Sequence, residues 1–89
     1  MILVTYDLNK RGQNYQKLTE AIKSLGDWWH YLDSTWLLKT RLTTEQVANR
    51  LKQEIDDNDS LLVIEVNPHN SRGWLPEEAW DWIYDRVSR

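Results

Sequence analysis

The chain of 89 residues carries 11 basic and 14 acidic side chains, a net charge of −3, which argues against a general nucleic-acid coat, since such coats show a broad basic excess. Its length suits one domain with a modest core that hides only about 60–65% of the unfolded surface, so self-association would help it. It has no cysteine, hence no disulfide framework or thiolate chemistry, as fits a reducing cytoplasm. The absence of a charged-then-apolar leader or a long apolar run predicts a cytoplasmic chain with no membrane partner. Six Trp and four Tyr, with no Phe, supply aromatics with polar tips, which suit interfaces and partly wet sites.

Residues 1–8 alternate: Ile2, Val4, Tyr6 and Leu8 share one face, Leu3, Thr5 and Asp7 the other. The pattern predicts a strand with one core face and a carboxylate near its end. A carboxylate on an apolar strand is costly unless solvated, paired or holding a cation, so Asp7 is the first candidate for function. Asn9 to Gln13 reads as loop. Asn14 can cap a helix with Tyr15, Leu18, Ile22 and Leu25 as its apolar stripe, ended by Gly26 as a residue free to take positive φ. The aromatic and β-branched run 28–40 breaks at Asp33-Ser34, predicting a hairpin of Trp28–Leu32 and Thr35–Thr40. Thr43 with Gln46 is a capping-box pattern opening a helix with Val47, Ala48, Leu51 and Ile55 inward, which dissolves in the acidic residues 56–59. Ser60 to Val66 reads as a buried strand with Leu62, Ile64 and Val66 on one face. Pro76, at a first helical position before Glu77 and Glu78, starts a terminal helix carrying Ala79, Trp80, Ile83 and Val87.

The order is βαββαβ plus an extra C-terminal helix. It predicts an α+β, ferredoxin-like fold: an antiparallel four-stranded sheet with two helices on one face. The core is residues 1–66 and the Trp-rich extension residues 67–89, in one domain. Crossover rules are read as setting the first and third strands side by side and parallel. On that reading one rim gathers Asp7, the loop residues Asn9, Lys10 and Arg11, the indoles Trp28 and Trp29, and Lys39, Thr40 and Arg41, with Asp59 and Ser60 beside them. A basic rim with aromatic platforms suits phosphate-bearing ligands; the competing reading is that the indoles cover helix ends and the charges are solvated.

The other sheet face, read as Leu3, Thr5, Asp7, Leu37, Leu61 and Val63, is half apolar. It would be covered by a second copy across a two-fold axis or by the terminal helix; a homodimer is the expectation. In such a dimer Asp7 would near its symmetry mate, and the pair would share a proton or hold a divalent cation. Other motifs are weak. His30 and His69 lack acidic partners at ligand spacing, residues 56–59 lack the glycine and distal glutamate of a calcium loop, and there is no phosphate loop or nucleophile elbow. Trp74, Trp80 and Trp82 read as packing, Trp80 inward and Trp82 available to a partner.

Three stretches, Leu3-Val4-Thr5-Tyr6-Asp7-Leu8, Asp33-Ser34-Thr35-Trp36-Leu37-Leu38 and Asp59-Ser60-Leu61-Leu62-Val63-Ile64, resemble landmarks of the small ferredoxin-fold CRISPR-associated proteins of the spacer-acquisition complex, an endoribonuclease-like family. VapD-type toxins look similar in outline. The run Leu25-Gly26-Asp27-Trp28-Trp29-His30, then Ser34-Thr35-Trp36, resembles most closely the SinR-like small proteins of undefined role. The resemblance covers roughly residues 1–66. It implies an Asp7 at a dimer axis that binds a metal ion for phosphodiester hydrolysis where that activity exists, with Ser34 as the motif serine and Trp36 in place of its Phe. Tyr31, Leu32 and Asp33 stand where basic residues usually precede that serine, which weakens the case for duplex binding. A Trp-rich helix replaces the usual terminal strand, so the dimer geometry need not carry over.

Function remains open between classes. The first reading is a non-catalytic homodimeric module binding nucleic acid (RNA or DNA) or a nucleotide-type ligand between Trp28, Trp29, Trp36 and the basic rim. The alternative is a Mg²⁺-dependent endonuclease, preferring RNA, with Asp7 of each subunit as catalytic residue and metal ligand. There Tyr6 and Ser34 would orient one phosphate and Lys39 or Arg41 hold the next. Mg²⁺ is implied only in that case. A toxin–antitoxin or other protein-interaction component is the third.

Overall fold

The computed structural model describes residues 1–9 and 15–87; the capping role expected of Asn14 and the site roles expected of Lys10 and Arg11 lie outside them. In chain order the elements are β1 (Ile2–Asp7), α1 (Tyr15–Lys23), β2 (Asp27–His30), β3 (Thr35–Lys39), α2 (Thr44–Lys52), β4 (Ser60–Glu65) and α3 (Glu77–Val87). The sheet order is β2-β3-β1-β4 and every neighbouring pair is antiparallel. This is the ferredoxin-like α+β arrangement with one added helix.

Alternation in β1 holds: Ile2, Val4 and Tyr6 are buried and Asp7 is exposed. These side chains meet Leu18 and Ile22 of α1, Val47 and Leu51 of α2, and Trp36 and Leu38 of β3 in one core cluster. Ala48, also expected inward, is only half-buried. The Thr43 capping box forms. Its hydroxyl accepts the Gln46 backbone N–H at 3.1 Å, and the Gln46 side-chain carbonyl accepts the Thr43 N–H at 3.0 Å. The hairpin closes between Leu32 and Thr35, whose N–H donates to the Leu32 carbonyl at 2.8 Å. No helix among the described residues is long and apolar enough to cross a membrane.

Three expectations are corrected. First, β1 and β3 are neighbours but antiparallel, with Ile2 opposite Leu38 and Thr5 opposite Thr35. The α1 crossover returns the chain so that β2 runs with β1, and the hairpin then reverses β3. Second, β4 shows the core its other face. Its register sets Leu61 opposite Tyr6 and Val63 opposite Val4, while Leu62 and Ile64 stay 52% and 45% exposed. The strand is apolar on both faces, so pairing with β1, not periodicity, decides which side turns inward. Third, Gly26 keeps φ outside the left-handed region. It is needed because a Cβ there would lie 2.3 Å from the Lys39 carbonyl oxygen.

The terminal helix settles part of the question of what covers the outer face. Leu75 shares a hollow with Leu3, Trp29 and Leu37, the Trp82 ring lies 6.5 Å from Trp29 between centroids, and Arg86 reaches Asp27 at 3.7 Å. Trp82, expected to be available to a partner, is therefore engaged within the chain, with the Arg86 guanidinium 4.3 Å from its ring centre. Ala79 and Ile83 are buried. The helix covers the β2 side of the face and leaves Leu62 and Ile64 on β4 exposed.

Candidate functional site

Because β3 runs opposite to β1, the expected rim is divided between the two ends of the sheet. One end carries the last residues of β1 and β2 and the first of β3 and β4: Tyr6, Asp7, Asn9, Ser34, Asp59 and Ser60. The other carries the start of β2 and the ends of β3 and β4: Gly26, Asp27, Trp28, Lys39, Thr40, Arg41 and Glu65. A strand of this length separates them by about 17–20 Å. Asp59 and Ser60 stand by Asp7 as expected; Trp28, Lys39 and Arg41 do not.

At the first end Asp7 is exposed, opposite Ser60, and lines an open hollow with Thr5, Tyr6, Leu61 and Leu62. Asn9 ties two loops together. Its backbone N–H donates to the Asp59 carboxylate at 2.9 Å and its side-chain amide to the Asn58 carbonyl, while the other Asp59 oxygen accepts the Asp56 N–H at 2.8 Å. Ser34 is half-buried and its carbonyl accepts the Tyr6 N–H at 3.2 Å. Among the described residues no group of three or more His, Cys, Asp or Glu could hold a metal ion.

Tyr6 and Trp36, expected to face a ligand, point into the core. The Trp36 indole N–H donates to the Tyr6 hydroxyl at 3.3 Å. The Trp36 ring is 1% exposed, stacked on His30 at 3.9 Å and tilted against Trp28 at 5.3 Å between centroids. It offers no face to a ligand. Burial pushes the Tyr6 phenol above its ordinary 10.0, and the Trp36 hydrogen bond pulls it partly back. The folded state thus holds this proton more tightly than the unfolded state. Its stabilising effect is complete below about pH 10 and is lost as pH rises through the folded-state value. A urea midpoint measured against pH should fall more steeply in alkali for the wild type than for Tyr6→Phe; parallel curves would refute the burial argument.

At the second end Lys39, Thr40 and Arg41 close a hollow of about 480 Å³ with Leu25, Gly26 and Asp27. The Asp27 carboxylate is engaged by Arg86, whereas Lys39 and Arg41 form no ion pair among the described residues. Trp28 is 39% exposed on the sheet face opposite Asp27 and Lys39, with the Lys23 ammonium 4.8 Å from its ring centre. Trp29 lies on the opposite face of β2 against Trp82. Of the three indoles expected as platforms, Trp28 is the most exposed. Lys23, not singled out from the sequence, joins the site because α1 ends at this rim; its place in the last helical turn, shortly before Trp28, is the signal that pointed there.

Comparisons with protein-family models, with curated proteins and with solved structures find no match for this chain.

Proposed function

We propose that the chain is a non-catalytic, homodimeric binding module that holds a phosphate-bearing ligand, nucleic acid or a nucleotide, at the Lys39 end of its sheet. The observation that carries this is the hollow itself: Lys39 and Arg41 bring two cations to a cleft whose one carboxylate, Asp27, is already engaged by Arg86. Phosphate oxygens supply the missing anion, and the part-exposed Trp28 ring, on the other side of the edge strand β2 from Lys39, offers a base a surface to stack on. A net charge of −3 confines binding to this local patch. The resemblance to CRISPR-associated and VapD-like proteins supports the choice of ligand class.

Titrating ATP and a labelled single-stranded RNA while following tryptophan fluorescence tests the reading. Lys39→Ala with Arg41→Ala should weaken binding at least tenfold. Trp28→Ala should remove about 1–3 kcal/mol for the lost stacking. RNA affinity should fall steeply with salt, and ATP affinity less so. Binding unchanged in both variants, or absent for both ligands, would overturn the assignment.

A second reading, Mg²⁺-dependent RNA hydrolysis through Asp7, is favoured by the exposed carboxylate at an open hollow beside Ser60. It requires cleavage that depends on Mg²⁺ and vanishes in Asp7→Ala.

A further inference from the structure

We propose that two copies join edge to edge through β4, so that their sheets continue as one eight-stranded sheet with the two-fold axis at Val63. This deepens the homodimer reading above and rests on it. The two edges of the sheet are unlike. β2 is short and flanked by α3, through the Trp29–Trp82 and Asp27–Arg86 contacts. β4 spans Ser60–Glu65, and no further strand pairs with its outer side among the described residues. Natural edges are usually blunted with lysine, proline or inward charges, yet β4 has no lysine or proline and a single charge, Glu65, at its last position. Leu62 and Ile64 are instead exposed there.

The backbone limits how a second copy can fit. The Val66 N–H donates to the Met1 carbonyl, so with the observed register the even-numbered residues of β4 direct their backbone groups toward β1. The N–H and C=O groups of Leu61, Val63 and Glu65 therefore face the open edge. A two-fold pairing must match these with the same set in the partner, which places the axis on a residue rather than between two. With the axis at Leu62, Asp59 would stand opposite the partner's Glu65, a like-charge pair that destabilises. With the axis at Ile64, Ser60 and Leu61 would lie opposite the partner's Pro68 and the partner's Asn67, beyond the end of β4 at Glu65, and fewer strand residues would pair. With the axis at Val63, Leu62 lies against the partner's Ile64 twice over, Glu65 faces the partner's Leu61, and no like charges are opposed. Charge excludes the first register and strand length the second, which leaves Val63.

Two consequences bear on function. The Lys39 ends of the copies point to opposite ends of the joined sheet, and both stay open. Asp7 pairs with Ser60, three residues from the axis, so the two Asp7 carboxylates lie about 20 Å apart along the strands and share no cation.

The chain has no cysteine, so introduced thiols report alone. Leu62→Cys and Ile64→Cys, singly and together, would be oxidised and run without reductant, beside sedimentation of the wild type. The Val63 axis predicts a wild-type dimer and covalent dimer in the double variant only, since each single thiol is offset from its symmetry mate beyond disulfide reach. Leu62→Lys with Ile64→Lys, both exposed positions, should give a folded monomer. A monomeric wild type would overturn the homodimer reading together with this one. A dimeric wild type with crosslinks in a single variant, or none in the double, would overturn only the β4 arrangement.

Discussion

Trp36→Ala is expected to destabilise the protein by about 3–5 kcal/mol, a large share of the about 5–15 kcal/mol that holds a typical domain. The side chain is among the largest that are fully buried and sits in the central strand pair, opposite Val4 on one side and His30 on the other. Truncation leaves a cavity under α1 and α2. It also deprives the buried Tyr6 hydroxyl of the Trp36 indole donor, and an unsatisfied buried polar group adds to the loss. The same ring holds His30 and Trp28 of the short edge strand, so β2 should loosen before the rest. Trp28→Ala makes the control: that ring is 39% exposed, and its removal should cost clearly less. Urea denaturation followed by far-ultraviolet circular dichroism measures both. A Trp36→Ala loss no greater than that of Trp28→Ala would refute the core placement.

The elements were legible where the sequence carried a contrast. β1 alternates because one face is wet, and the α2 cap has two side chains that answer each other. β4 carried no such contrast: Leu61 and Val63 are as apolar as Leu62 and Ile64, so the face turned inward depends on a register set by β1, far away in sequence. The candidate site suffered from direction rather than composition. Lys39, Arg41 and Trp28 are legible as cations and platform, but the sense of β3 follows from the hairpin turn, and only a β3 parallel to β1 would put them beside Asp7. Tyr6 and Trp36 carry polar tips that look suited to a ligand, and the fold satisfies each tip with the other. That pairing depends on β1 meeting β3, which no local pattern records.

Gly26→Ala carries the other large expected effect, and its sign separates two explanations of the residue. Were Gly26 present only to end α1, alanine at its ordinary φ would be tolerated or would stabilise by about 0.4–1 kcal/mol through the unfolded state. The structure predicts the reverse. An added Cβ would stand 2.3 Å from the Lys39 carbonyl oxygen and 3.1 Å from the Thr40 Cβ, and the first of these is backbone that cannot rotate away. The chain must open where Asp27 pairs with Lys39, at a cost of about 1–3 kcal/mol or more, as for an overpacked interior. Asp27 also anchors Arg86 of α3, so the strain reaches the helix over the outer face. Lys39 walls the proposed phosphate hollow, and its displacement should weaken ligand binding although no charge has changed. A lowered urea midpoint, with amide shifts concentrated at Lys39 and Thr40 and reduced affinity for ATP, is the expected result. An unchanged or raised midpoint would mean that the close approach does not constrain the fold, and that the cation hollow does not depend on it.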